Sequence, residues 1–263
     1  MKTVTSKDGT SIAYEQTGSG EPVILVDGAL CSRAFGPMPG LAKLLEPHFT
    51  VFSYDRRGRN ESGDTQPYTP EREVDDIAAL IQAAGGSAYV AGISSGAALA
   101  LNSAAAGLDI KKLALYEAPY MVDKTGHLPP ADSAQQLKAM IADGRRSDAV
   151  KYFVRDMVGA PAIAVFIMGI MPIFKKLKAV AHTLPYDAAI MGDFSLPAQK
   201  AASVKQVTLV GGGEKSPASM QQSVKQLAEA IPNSQLKMFK GQTHNISVKA
   251  LAPALIEFFG AQP

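Results

Sequence analysis

Gly92-Ile93-Ser94-Ser95-Gly96 sets a serine hydroxyl between glycines two residues away on either side. The apolar run before it, Ala88 to Ile93, reads as a strand. Ala97 to Ala106 after it reads as a small-residue helix stopping at Gly107. At such a strand–turn–helix corner the serine is presented as a nucleophile, and the glycines let strand and helix approach closely enough to tolerate the strained turn. The pattern is short enough to arise by chance, so this context carries the reading. A serine hydroxyl is a poor nucleophile at neutral pH and needs a base within hydrogen-bond reach, itself oriented by a carboxylate. His244 is the best candidate base: it follows the alternating segment Gln235 to Lys240 and precedes the last helical pattern, a loop position at the sheet edge that should carry Ser94. His48, His127 and His182 read as surface or packing residues, and Cys31, the single cysteine, as a small buried one.

The elements that must position these groups alternate along the chain. Thr3 to Thr5 reads as a short strand and Ser11 to Gln16 as an edge strand. Val23 to Val26, Val51 to Tyr54, Ala88 to Ile93, Leu113 to Tyr116 and Val207 to Val210 are compact apolar runs suited to strands buried on both faces of a parallel sheet. Between them lie helical patterns, the clearest starting at Thr69 and Pro70 and stopping at Gly85 and Gly86. This alternation implies a doubly wound α/β sheet. It breaks from Tyr120 to Pro197, where helical segments around 133–142, 147–157 and 172–181 occur without a convincing strand. We therefore expect a sheet core over 1–119 and 198–263 and a helical cap over 120–197.

Within that stretch, Met157 to Phe174 carries no charge. Pro161 and Pro172 leave ten residues between them, about 15 Å of helix against a hydrocarbon core of about 30 Å, so no membrane span is expected. Being apolar on every face, the segment is expected to line a pocket, with Ile167, Ile170 and Met171 as substrate contacts and Leu184 and Phe194 nearby. Its rival use is contact between two copies of the chain.

With 26 Lys plus Arg against 24 Asp plus Glu, the 263-residue chain is nearly neutral, and no block of like charge suggests nucleic acid or a polybasic membrane surface. One cysteine and four scattered histidines give no zinc-spaced cluster. The expected partner is a small molecule. Met1 to Ser11 has no apolar run, which leads us to expect a cytoplasmic protein.

Asp8-Gly9, Ile12 to Glu15, Val23 to Gly28, Tyr54-Asp55-Arg56-Arg57-Gly58, the Ser94 pentapeptide and Gly241 to His244 together resemble the α/β-hydrolase superfamily over nearly the whole chain, least in the cap. The resemblance implies an eight-stranded, mostly parallel sheet, a serine nucleophile after the fifth strand, a cap over the site and no cofactor. The family usually places its acid in the loop after the strand at Val207 to Val210, but there Ser216 stands before Pro217 where Asp is expected. A second family solution, a carboxylate ending the preceding strand, is met by Glu117; zearalenone-type lactone hydrolases resemble the chain both in this and in having Asp-Gly after the third strand. The order Ser94, Glu117, His244 keeps the superfamily's nucleophile, acid, base sequence. Glu117 is favoured over Glu214, because Glu214 follows three glycines read as a flexible segment. The oxyanion hole is expected from the N–H of Ser95 and from Gly28 or Ala29. Asp27 replaces a frequent His and is expected to accept loop N–H bonds while pointing away from the pocket. Asp55, Arg57, Gly58 and Ser62 match a structural turn motif in which Asn60 replaces a usual Gly.

The expected function is hydrolysis of an ester or lactone of a small, largely hydrophobic substrate through an acyl-enzyme. The alternatives are a lyase or cofactor-free peroxidase on the same scaffold, or a ligand-binding protein with little turnover.

Overall fold

The computed structural model describes residues 1–122 and 127–260. Eight strands form one sheet: β1 (Lys2–Thr5), β2 (Ser11–Thr17), β3 (Pro22–Val26), β4 (Thr50–Tyr54), β5 (Ala88–Ile93), β6 (Ile110–Tyr116), β7 (Val207–Gly213) and β8 (Ser234–Phe239). Their order is β1-β2-β4-β3-β5-β6-β7-β8. β2 pairs antiparallel with β1 and β4, and all other pairs are parallel. The sheet is therefore eight-stranded and mostly parallel, as expected. Ser11 to Gln16 is not at the edge, however: β1 folds back through Asp8-Gly9 and covers β2 from Lys2 opposite Tyr14 to Thr5 opposite Ser11.

Around the sheet the chain forms α1 (Met38–Leu45), α2 (Pro70–Ala83) and α3 (Ser95–Ala105). Between β6 and β7 come α4 (Ser133–Ala142), α5 (Arg146–Tyr152), α6 (Ala162–Ile170), α7 (Ile173–Val180), α8 (Leu184–Met191) and α9 (Ala198–Ser203), followed after β7 by α10 (Ala218–Ala230) and after β8 by α11 (Val248–Gly260). Strand alternation explains the layers. In β3, Ile24 and Val26 enter the core beneath α2, α3 and α10, while Val23 and Leu25 enter the one beneath α1 and α11. The helices inserted after β6 have a core of their own, with Leu137, Val150, Phe174, Leu177 and Leu184. Among the described residues no helix is long and apolar enough to cross a membrane.

Candidate active site

Ser94 sits between β5 and α3 with φ 57° and ψ −128°, a backbone conformation that side chains rarely adopt. Packing over-determines it. A Cβ on Gly96 would lie 2.3 Å from the Val26 carbonyl oxygen and 2.5 Å from that of Asp27, so only glycine lets α3 begin this close to β3. The N–H of Ser94 also donates to the carbonyl of Tyr116 at 2.9 Å, tying the turn to the end of β6.

His244 Nε2 lies 3.2 Å from Ser94 Oγ and Nδ1 lies 2.8 Å from Glu117 Oε2. With a carboxylate facing Nδ1, the ring proton belongs there and Nε2 accepts from the serine. Glu117 is fully buried, and its second oxygen accepts from the N–H of Gly213 at 2.7 Å and from Ser216 Oγ at 2.6 Å. Three donors on a buried carboxylate fix its plane. Its φ of 44° turns the chain at the strand end so that the side chain meets this cluster. Tyr116, one residue earlier, donates its hydroxyl to the carbonyl of Thr243 at 2.7 Å, so the end of β6 holds both the acid and the loop carrying His244.

Glu214 is exposed. Flexibility is not the reason: Gly211 to Gly213 are buried inside β7, and a Cβ on Gly213 would lie 2.4 Å from the carbonyl oxygen of Gln242. These glycines give the His244 loop room and expose the N–H that Glu117 uses. Ser216, recognised in the sequence only as a missing acid, is a buried donor to Glu117. Its position before Pro217 was the available signal. Of the other histidines, His48 is exposed, His127 Nε2 meets the carbonyl of Asp156, and His182 is half-buried in the insertion.

Ser95 and Ala29 both line the cavity beside Ser94, whereas Gly28 lies beneath Ser94 with its carbonyl accepting from Arg59 at 2.6 Å. Asp27 is buried and does not line the cavity. Burial pushes its carboxyl up to about 8, although Arg59, Arg56 and the N–H of Gly28 favour the anion, and its Oδ1 has no hydrogen-bond partner among the described residues. Cys31 is likewise pushed up to about 12 by burial and by Asp27, which leaves it an unreactive thiol. Asn60 has φ 43°, the left-handed conformation expected of it, and Ser62 Oγ bridges the Asp55 carbonyl and the Ala13 N–H at 2.6 and 2.9 Å.

The cavity over Ser94 holds about 300 Å³. Its apolar wall comes from Phe153, Met157 and Val158 in the turn after α5, and from Ala188, Met191 and Phe194 in and after α8. Ile167, Ile170 and Met171 are absent from it, which corrects the sequence expectation: they are 48%, 73% and 50% exposed. α6 has no polar residue to mark an outer face, and it turns only Val165 fully inward, leaving Ile163 and Phe166 exposed as well. Phe194 does reach the cavity, while Leu184 is buried in the insertion's own core. Among the described residues no group of His, Cys, Asp and Glu could hold a metal.

A model of the Alpha/beta hydrolase family matches residues 23–252. An alpha/beta hydrolase from Sphaerobacter thermophilus is 50% identical, with a TM-score of 0.93 over 98% of this chain and 100% of that one. An esterase from Exiguobacterium antarcticum superposes with a TM-score of 0.76 at 19% identity, over 99% of each chain. An enol-lactonase from Burkholderia xenovorans superposes at 0.71 and 20% identity, over 99% and 100%. At such identities the last two report on the fold alone.

Proposed function

Because the chain belongs to the alpha/beta hydrolase family, we propose that it is a serine hydrolase cleaving a neutral carboxylic ester or lactone through an acyl-enzyme, with Ser94 as nucleophile, His244 as base and Glu117 as acid. The observation that carries this reading is the single imidazole bridging Ser94 and a buried, triply hydrogen-bonded carboxylate. Ser94 Oγ attacks the acyl carbon as its proton passes to His244 Nε2, and Glu117 stabilises the imidazolium. The tetrahedral oxyanion is held by the N–H groups of Ser95 and Ala29. The acyl carbon–oxygen bond then breaks and His244 returns the proton to the leaving alkoxide, which departs from an ester or stays on the opened chain of a lactone. Water activated by His244 attacks the acyl-enzyme and releases the acid and Ser94.

The helices above the site act as a cap, and the wall from Met121, Phe153, Met157, Met191 and Phe194 favours a hydrophobic acyl or alcohol group. The test combines a fluorophosphonate probe, with the modified residue located by mass spectrometry, and a panel of p-nitrophenyl esters and lactones. Labelling at Ser94, turnover of neutral hydrophobic members and a loss of about a thousandfold or more in Ser94→Ala are expected. Turnover that survives Ser94→Ala would overturn the reading.

A further inference from the structure

One carboxylate from the inserted helices crosses into the sheet core. Asp187, in the first turn of α8, is buried and accepts from three side chains. Arg59 Nη2 donates to Oδ2 at 2.8 Å and to Oδ1 at 3.0 Å, Arg56 Nη1 to Oδ1 at 2.7 Å, and Ser95 Oγ to Oδ1 at 2.7 Å. Burial by itself would raise the pKa of this carboxyl, but the charges of Arg59 and Arg56 outweigh it and hold the group ionised.

The same two guanidinium groups continue to the loop after β3. Arg59 Nη1 donates to the carbonyls of Gly28 at 2.6 Å and Cys31 at 3.0 Å, and Arg56 Nη1 reaches that of Asp27 at 3.3 Å. Arg56 is held from behind by both oxygens of Glu73, at 2.7 and 2.8 Å. Asp187 thus meets one oxyanion-hole segment directly, through the Ser95 hydroxyl, and the other through Arg59.

We propose that Asp187 is a positioning residue that fixes both halves of the oxyanion hole from the inserted helices, making the seat of α8 and the aim of the hole one unit. The inference rests on the serine-hydrolase reading above. Ala188 and Met191, on the same helix, line the cavity, so the carboxylate that orients the Ser95 and Ala29 peptides also sets the wall against which substrate lies. The hole donors act on the tetrahedral oxyanion more than on the ground-state carbonyl. A small loss of aim therefore lowers kcat and leaves KM nearly unchanged, whereas a contact that only fastened the helices to the core would alter stability alone.

Ser95→Ala tests this most cleanly, because it keeps the backbone N–H and removes only the hydroxyl, with its 2.7 Å bond to Asp187 and the longer one, 3.4 Å, that it accepts from Arg56 Nη1; Asp187→Asn is the larger perturbation. For each, kcat and KM are measured on the best ester of the panel, together with the inhibition constant of an arylboronic acid that forms a tetrahedral adduct on Ser94, and Tm. Ser95→Ala should lower kcat about tenfold and weaken the boronic acid by a similar factor, with KM within about twofold and Tm nearly unchanged. Asp187→Asn should lower kcat about a hundredfold. If it fails to fold, Ser95→Ala decides alone. Ser95→Ala with kcat and boronate inhibition both within about twofold of wild type would overturn the inference, as would an effect on Tm or KM alone. Fluorophosphonate labelling of the wild type separates the two levels: an unlabelled Ser94 removes the hydrolase reading itself, while a labelled Ser94 with an unaltered Ser95→Ala removes only the role of Asp187.

Discussion

The rim where β6 and β7 end and helix α6 of the insertion both read as functional in the sequence, and they end in opposite situations. At the rim, Glu117 is fully buried, with donors on both oxygens that come from other segments: Gly213 at the end of β7, Ser216 just after it and His244 after β8, while Tyr116 beside it steadies the His244 loop. On α6, the most apolar stretch outside the sheet, Phe166, Ile167 and Ile170 are exposed to solvent. The difference teaches that a polar residue at a strand end is placed by the sheet register, which the sequence pattern reveals. A helix apolar all round carries no information about which side faces in.

If the rim acts as a unit, removing one of its supports should be felt at the chemistry. Ser216→Ala takes one of three donors from Glu117 and should lower kcat about tenfold with little change in KM, a charge-assisted bond of this kind contributing about 1.5 to 3 kcal/mol. Steady-state kinetics on a p-nitrophenyl ester provide the check, and an unchanged kcat would mean that Gly213 and His244 suffice to hold the acid.

A smaller effect is expected from Asp27, behind the oxyanion loop, where Arg56, Arg59, Asp55 and Cys31 are its charged and titratable neighbours. Its carboxyl stays protonated until about pH 8, so raising the pH through 8 places a negative charge behind the hole and kcat should fall a few-fold. The linkage has the same direction. With the folded pKa raised from 3.8, the group's contribution to stability is full below pH 3.8, is lost as the pH climbs to 8 and is flat beyond. Asp27→Asn should remove the alkaline fall in kcat, and its Tm advantage over wild type should grow between pH 5 and 8. Parallel pH profiles of the two proteins that superimpose would contradict this.

The contrast with α6 predicts the smallest effect. Ile167→Asp with Ile170→Asp should leave kcat, KM and ester preference within about twofold, because neither side chain lines the cavity. A change in substrate preference, with the protein's mass in solution unchanged, would return these residues to the pocket.

The strands, the Ser94 turn and the His244 loop were legible because each rests on a local pattern: buried runs of Val, Ile and Leu, glycines at fixed offsets, a histidine between a strand and a helix. The supporting shell was not. Ser216, Gly213 and Tyr116 act through hydrogen bonds across 99, 96 and 127 residues of chain, and no periodicity encodes them. Asp187 was equally silent, since an acid in a helix of the insertion reads as solvated until α8 packs it against Arg56 and Arg59. The run Gly211 to Gly213 suggested looseness, yet the strand uses those glycines for clearance.

The central claim is that Glu117, not an acid in the loop after β7, orients His244. The direct test is kcat for Glu117→Gln and Glu214→Gln on the same ester, with circular dichroism confirming that both fold. Glu117→Gln should lose two to four orders of magnitude, roughly the range seen when the orienting carboxylate of such a triad becomes an amide, while Glu214→Gln stays within about twofold of wild type. A large loss at position 214 with little at position 117 would contradict the account while leaving Ser94 and His244 in place.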